Sequence, residues 1–309
     1  MEYKDAGNEK IDSKTALIFH ERAGKVTVEG LQQNCAHVEI PAYIDGCPIT
    51  GIEKKAFFNN RFLRSAILPD TIEDVGDWAF AHCPQLQFVE LPQKEIKLGK
   101  GIFLGCGQLA GIALRLLNGA IQKETGFAEQ LAVLLAAAIT GLEAEYLLSV
   151  NEAGSKEWLQ KWDSRLLTVM NRPDNEGFTR QVLCGEEDYG STDQGRYENK
   201  RRREKARLAM LRLLHPVGMS EETGIFLETY LREHTGGSTN PEAWEVIRTE
   251  FAQQRRYYEL FTRIGCVTPE NFDGLLLDLQ EEQPELKAYL LRYREEELGR
   301  GDFFESFMI

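Results

Sequence analysis

The sequence contains no C-x-x-C pair, and none of its six cysteines (Cys35, Cys47, Cys83, Cys106, Cys184 and Cys266) lies within five residues of another. That spacing excludes a clustered zinc site and the dense disulfide framework of a small secreted domain. The five histidines, His20, His37, His82, His215 and His234, show no i, i+4 pairing, so no metal and no other cofactor is expected. Long apolar runs are also lacking. The longest, Leu131 to Ile139, is too short to cross a bilayer, and no membrane span is expected. Positive charge is in deficit, with 36 Lys and Arg against 49 Asp and Glu, net −13. Gripping a phosphate backbone needs a basic face, so nucleic acid is not an expected partner. The opening MEYKDAGNEK has no apolar core of signal-peptide type. A cytoplasmic location is expected, or the cell surface if a leader has been removed. No Ser-His-Asp, Cys-His or paired-carboxylate arrangement can be named, so no catalytic residue is assigned and no enzyme is expected.

What the sequence does have is a period. Ala56-Phe57, Ala79-Phe80 and Ile102-Phe103 recur every 23 residues, as do Leu63, Leu86 and Leu109. Asn60, Cys83 and Cys106 keep the same offset, and so do Pro69 and Pro92. Ile52-Glu53, Val75-Gly76 and Leu98-Gly99 form a further class, while the turn around Tyr43 to Pro48 carries five extra residues. A single such turn cannot bury its apolar side, whereas stacked turns can. Leu86, Val89 and Leu91 are predicted to point inward from a short strand, leaving Phe88 and Glu90 outward. Aligning the rungs puts His37, Ser65 and Phe88 in one outward column and Glu39, Ile67 and Glu90 in the next. Before the rungs, Ala16 to His20 and Lys25 to Val28 flank an Arg-Ala-Gly turn, a hairpin pattern suited to cap the coil.

The rungs resemble the leucine-rich repeats of the bacterial BspA-like type, whose pattern is IP-x-x-V-x-x-IG-x-x-AF-x-x-C-x-x-L. The stretch IPAYIDGCPITGIEKKAFFNNRFL, Ile40 to Leu63, is similar to the usual first rung of that group, insertion included. The resemblance covers about residues 15–114 and implies a right-handed solenoid with a protein-recognition role, commonly at bacterial surfaces. Glu53 stands where the pattern has Gly, and Ile102 where it has Ala, so distortion is expected at the third rung.

From about Leu109 helical spacing takes over. Leu131, Leu134, Leu135 and Ala138 share one face, as do Phe272, Leu275, Leu276 and Leu279, then Leu286, Tyr289, Leu290 and Tyr293. Asn240-Pro241-Glu242 and Thr268-Pro269-Glu270 are helix starts, Gly265 a stop, and Gln283-Pro284 a corner between antiparallel helices. The segment Leu109 to Leu117 is a candidate cover for the last rung. The expected class is therefore α+β and multidomain: a polar arm (1–14), a short leucine-rich-repeat solenoid with an N-terminal β-hairpin cap (15–108), and an all-α domain of packed helical hairpins (109–309). An exposed loop is expected over about 184–199, including Glu186, Glu187 and Asp188 as a solvated acidic patch.

The function expected is protein–protein interaction without catalysis. Binding would use His37, Glu39, Ser65, Ile67, Phe88 and Glu90 on the strand face, because grouped apolar side chains on a polar face mark contact surfaces. The helical domain would act as a cap and second surface. The alternative is that the helical domain carries an enzymatic or nucleic-acid-binding activity that the repeats target. Lys200, Arg201, Arg202, Arg203, Lys205 and Arg207 form the one basic cluster, readable as a site for an anionic partner or as charge balance for neighbouring acids. Neither the partner nor the oligomeric state follows from the sequence.

Overall fold

A computed structural model describes residues 8–12, 17–22, 24–115, 126–178, 193–236, 241–279 and 283–298. The chain divides into two compact units, residues 1–165 and 166–309. The first is a β-solenoid of about four turns closed by helices, and the second is helical.

The solenoid carries two sheets. One contains the parallel strands β4 (His37–Glu39), β7 (Ser65–Ile67), β9 (Phe88–Pro92) and β11 (Gly111–Arg115), side by side in that order. The other runs β1 (Asn8–Asp12), β2 (Leu17–Arg22), β3 (Lys25–Leu31), β6 (Cys47–Ile52), β8 (Asp74–Val75) and β10 (Lys97–Leu98). The expected hairpin is β2 and β3, antiparallel around Gly24, and β3 then pairs in parallel with β6 to seal the first rung. Ala16, read as its start, lies outside the described residues. The five-residue insertion folds as a small hairpin of β5 (Tyr43–Ile44) against β6, turning through Asp45 and Gly46 at positive φ.

Stacking of the rungs explains the repeat letter by letter. Phe57, Phe80 and Phe103 form a vertical file, with ring centroids 4.8 Å apart and nearly parallel in the first pair, then 5.7 Å apart at 25° in the second. The wider second step lies beside Ile102, the residue that replaces Ala. Cys83 Sγ donates to the Phe57 carbonyl and Cys106 Sγ to the Phe80 carbonyl, both at 3.1 Å, so each thiol ties its rung to the one before. Asn60 does the corresponding turn's work through its side-chain oxygen, which accepts from Leu63 N–H at 3.0 Å. The hydrogen bond with Cys106, together with burial, pushes the Cys83 thiol pKa well up. These thiols are free.

Gly76 and Gly99 mark where neighbouring rungs approach too closely for a side chain. A Cβ on Gly76 would sit 2.5 Å from the Lys54 nitrogen, and one on Gly99 2.5 Å from the Asp77 nitrogen. Glu53 is tolerated at the equivalent place because the element before it is the hairpin. Its carboxylate accepts from Thr27 Oγ1 at 2.8 Å and lies 3.5 Å from His20, joining cap to coil. The period extends to backbone dihedrals. Lys55, Trp78 and Gly101 all have positive φ, and so do Asn59, His82 and Gly105, two left-handed residues per rung at fixed offsets.

Beyond the third rung the structure corrects the sequence reading. Gly111–Arg115, read as the start of helical texture, is a strand that pairs in parallel with β9. Its five-residue run, GIALR, is short enough to suit either form, and the open edge of β9 decides for strand. This strand, inside the expected cover Leu109 to Leu117, does lie against the third rung, and α1 (Phe127–Thr140) packs on β11 in turn, burying Leu131, Leu134, Leu135 and Ala138 as its pattern predicts. Residues 116 and 117 of the expected cover lie outside the described residues. The helix α2 (Lys156–Met170) is pinned to this cap by two indole donors. Trp158 Nε1 bonds the Leu147 carbonyl and Trp162 Nε1 the Leu134 carbonyl, each at 2.9 Å.

The second unit is built on α3 (Gln194–Leu214), against which α4 (Glu221–Glu233), α5 (Glu242–Glu250) and α6 (Arg255–Arg263) pack. Then come α7 (Phe272–Leu277) and α8 (Pro284–Tyr293), with Pro284 in the first turn of α8. Gly265 takes positive φ at the stop after α6, and Thr268 and Asn271 exchange capping bonds before α7. Of the loop expected over 184–199, residues 184–192 lie outside the described residues, along with Glu186, Glu187 and Asp188. From Gln194 the chain is helical, because the Asp193 carboxylate accepts from Gly195 and Arg196 N–H and caps the helix.

Candidate functional site

The register of β4, β7 and β9 brings the six strand-face residues together in the columns read from the period. His37 lies beside Ser65 and Ser65 beside Phe88, while Glu39 lies beside Ile67 and Ile67 beside Glu90. The intervening Val38, Ala66 and Val89 are buried in the core. Phe88 is 38% exposed and Ile67 half-buried, so the face has an apolar centre. His37 Nδ1 and Ser65 Oγ are 2.8 Å apart and form a polar flank. Glu39 is exposed at the outer corner.

Two features of this face were not legible in the sequence. Arg115, from β11, reaches across the row and bonds Glu90 at 2.5 Å, Asp70 at 3.0 Å and the Leu68 carbonyl. Glu90 thus carries its own counter-charge, whereas Glu39 is exposed to solvent. On the last strand, Gly111 stands beside Phe88, whose ring would lie 3.3 Å from a Cβ built there. A second exposed strip was also missed. On the turns, Phe58 meets His82 edge-on at 5.4 Å, Lys54 sits 4.9 Å over the Trp78 ring, and Leu104 is 52% exposed. These side chains meet only because consecutive rungs stack, so linear spacing gave little signal.

Five of the six residues of the basic cluster form ion pairs within the helical unit. Arg202 pairs with Glu242 at 2.5 Å and Asp174 at 3.4 Å, and Lys205 pairs with Asp174 at 2.6 Å. Arg203 and Arg207 converge on Glu250 at 2.7 and 2.6 Å, and Arg201 pairs with Glu204 at 3.2 Å. Lys200 begins the run on α3. Burial pushes the Glu250 carboxyl up, but Arg207 and Arg203 outweigh it and hold the pKa below the usual range.

The remaining histidines serve local packing. His234 stacks on Tyr230 and its Nδ1 lies 2.8 Å from the Tyr230 carbonyl. His215 is buried, its Nδ1 has no hydrogen-bond partner among the described residues, and burial with the nearby Arg256 and Arg212 lowers its pKa to about 4. The consequence for stability has a definite sign. Above the ordinary histidine range both folded and unfolded forms are neutral, so the group contributes nothing. As pH falls from about 6.5 toward 4 the unfolded chain takes up the proton first, and the helical unit loses stability. Denaturation midpoints measured across that window are expected to fall, and to fall less in His215→Gln. Glu250, with its lowered pKa, acts only further into acid. An unchanged slope in His215→Gln would exclude this role.

Among the described residues, no group of three His, Cys, Asp or Glu is placed to hold a metal ion, and no helix is long and apolar enough to cross a membrane.

Stacked 23-residue turns whose strands pair in parallel from rung to rung define a leucine-rich-repeat solenoid. Residues 33–125 match the family described as BspA type Leucine rich repeat region, in six copies. Repeat regions of this kind are typically protein-interaction modules. Several bacterial structures are similar. A leucine rich cell surface protein from Faecalibacterium prausnitzii is 23% identical over 36% of this chain and 31% of its own, with a TM-score of 0.31. A leucine-rich repeat protein from Bacteroides capillosus is 24% identical over 34% of this chain and 86% of its own, with a TM-score of 0.30. The T. pallidum leucine-rich repeat protein is 24% identical over 36% and 49%, with a TM-score of 0.28. The chain thus spans less than two thirds of the F. prausnitzii and T. pallidum proteins. No curated protein matches the chain.

Proposed function

We propose that this chain is a non-enzymatic binding module that holds another protein on the outer face of β4, β7 and β9. The observation that carries this reading is the apolar pair at its centre, exposed Phe88 and half-buried Ile67, on a face whose neighbours are polar. Small clusters of such anchors dominate binding energy at protein interfaces, and polar rims set selectivity. His37 and Ser65 supply hydrogen-bonding groups, Glu39 favours a basic group on the partner, and the Glu90–Arg115 pair borders the patch. The helical unit is a cap and a second surface in this scheme.

The test is capture of partners from a native lysate with wild type and with Phe88→Ala combined with Ile67→Ala. Recovery of the principal partner is expected to drop by about tenfold or more, the scale of an interface hot spot. Equal recovery by a folded double variant would remove the strand face from the assignment.

A further inference from the structure

The two sheets of the solenoid end differently. In the sheet ending at β11, Ile112 is fully buried and Leu114 half-buried, and α1 packs on that strand. In the other sheet, Ile52 and Val75 are 1% and 3% exposed, yet Leu98 at the equivalent place on β10 is only half-buried. Each earlier rung is covered by the next, and β10 has no strand on its far side among the described residues. Beside it lies a cleft of about 490 Å³, bounded by β10 and the turn after it and, opposite, by Ile139 at the end of α1 and the segment Glu145 to Asn151.

The backbone of β10 is set to accept another strand. Lys97 and Gly99 donate to the Glu73 and Val75 carbonyls at 2.9 and 2.8 Å. Successive residues of a strand direct their peptide groups to opposite edges, so Leu98 N–H and C=O face the cleft. An unpaired edge of this kind is a template for strand addition, in which main-chain bonds give affinity and side-chain pockets give selectivity. Leu98, Ile139 and Leu148 offer half-buried apolar contacts. Lys94 and Lys100 line the cleft and Lys97 projects from the strand. Of the acids there, Glu95 is exposed, and Glu145 Oε2 accepts from Gly101 N–H at 3.3 Å.

We infer that β10 and this cleft form a second binding site, distinct from the strand face, that takes an extended segment of another protein with alternating apolar and acidic side chains as an added strand. The cleft volume lies within the range of about 300–1,000 Å³ common for ligand sites. Apolar side chains of the segment would complete the cover over Leu98, and its acids would meet the lysines.

The test titrates the labelled full chain with a capped hexapeptide of alternating glutamate and valine, followed by amide resonances and exchange. Shifts are expected at residues 96–100, with exchange at Leu98 slowed about tenfold at saturation. A peptide N-methylated at alternate residues, and one with lysine in place of glutamate, are each expected to bind at least about tenfold more weakly. Leu98→Pro deletes the cleft-facing donor while sparing those of Lys97 and Gly99, and is expected to abolish binding. Lys94→Glu with Lys100→Glu, at a half-buried and an exposed position, is expected to reverse the preference between the acidic and basic peptides. Equal binding by the N-methylated peptide, or an unresponsive Leu98 amide at saturation, would overturn the assignment. So would self-association of the chain that Leu98→Pro prevents, which would give the edge to a second copy.

Discussion

Phe80→Ala is expected to destabilise the solenoid unit by about 3–5 kcal/mol, the cost of emptying a fully buried phenylalanine site. Phe80 is the middle ring of the file and contacts rings on both sides, so its loss leaves a void between two rungs as well as within one. In a stacked array each turn relies on its neighbours, and damage at a central rung spreads to both interfaces. Hydrogen exchange resolved by peptide is the suitable readout, because the two units need not unfold together. Protection is expected to fall throughout the rungs and to persist in α3 to α6. A loss confined to the residues touching Phe80, or a cost near zero, would show that the rungs do not depend on the file.

The second large effect lies in the helical unit. Glu242 is 2% exposed, its Oε1 is bound by Arg202, and among the described residues its Oε2 has no hydrogen-bond partner. Arg202→Met would leave that carboxylate buried without its closest cation, a change that typically costs about 3–5 kcal/mol. Arg202→Met combined with Glu242→Leu is expected to recover most of the loss, since a buried ion pair can be replaced by packed apolar groups at little cost. Arg255→Ala, which removes an exposed pair with Glu259, is expected to change little. Thermal denaturation of the three variants separates these cases. Equal, small effects of Arg202→Met and Arg255→Ala would mean that the cluster on α3 is mere surface charge.

These two results bear on what the sequence could and could not disclose. The file of Phe57, Phe80 and Phe103 was legible because a stacked repeat writes each spatial neighbour at a constant offset. The same logic delivered the register that places Ser65 between His37 and Phe88. Helix faces and caps such as Thr268 were legible because their rules are local. The pairing of Arg202 with Glu242 was not, since it joins residues 40 positions apart on helices with no shared period. Arg115 on Glu90 escaped for a related reason: β11 carries no Phe, Cys or Pro landmark and its short apolar run fits a helix as well as a strand. The open edge at Leu98 was likewise hidden, because its sequence matches the repeat and only the missing neighbour distinguishes it.

The central claim is that stacked rungs present the outer face of β4, β7 and β9 to a protein partner. Placing a photo-crosslinking residue at Ser65, between Phe88 and His37, and in a separate variant at Leu277, which is 86% exposed in the helical unit, tests it directly. The partner captured by wild type is expected to crosslink from position 65 and not from position 277. Crosslinking from 277 with none from 65 would contradict the account.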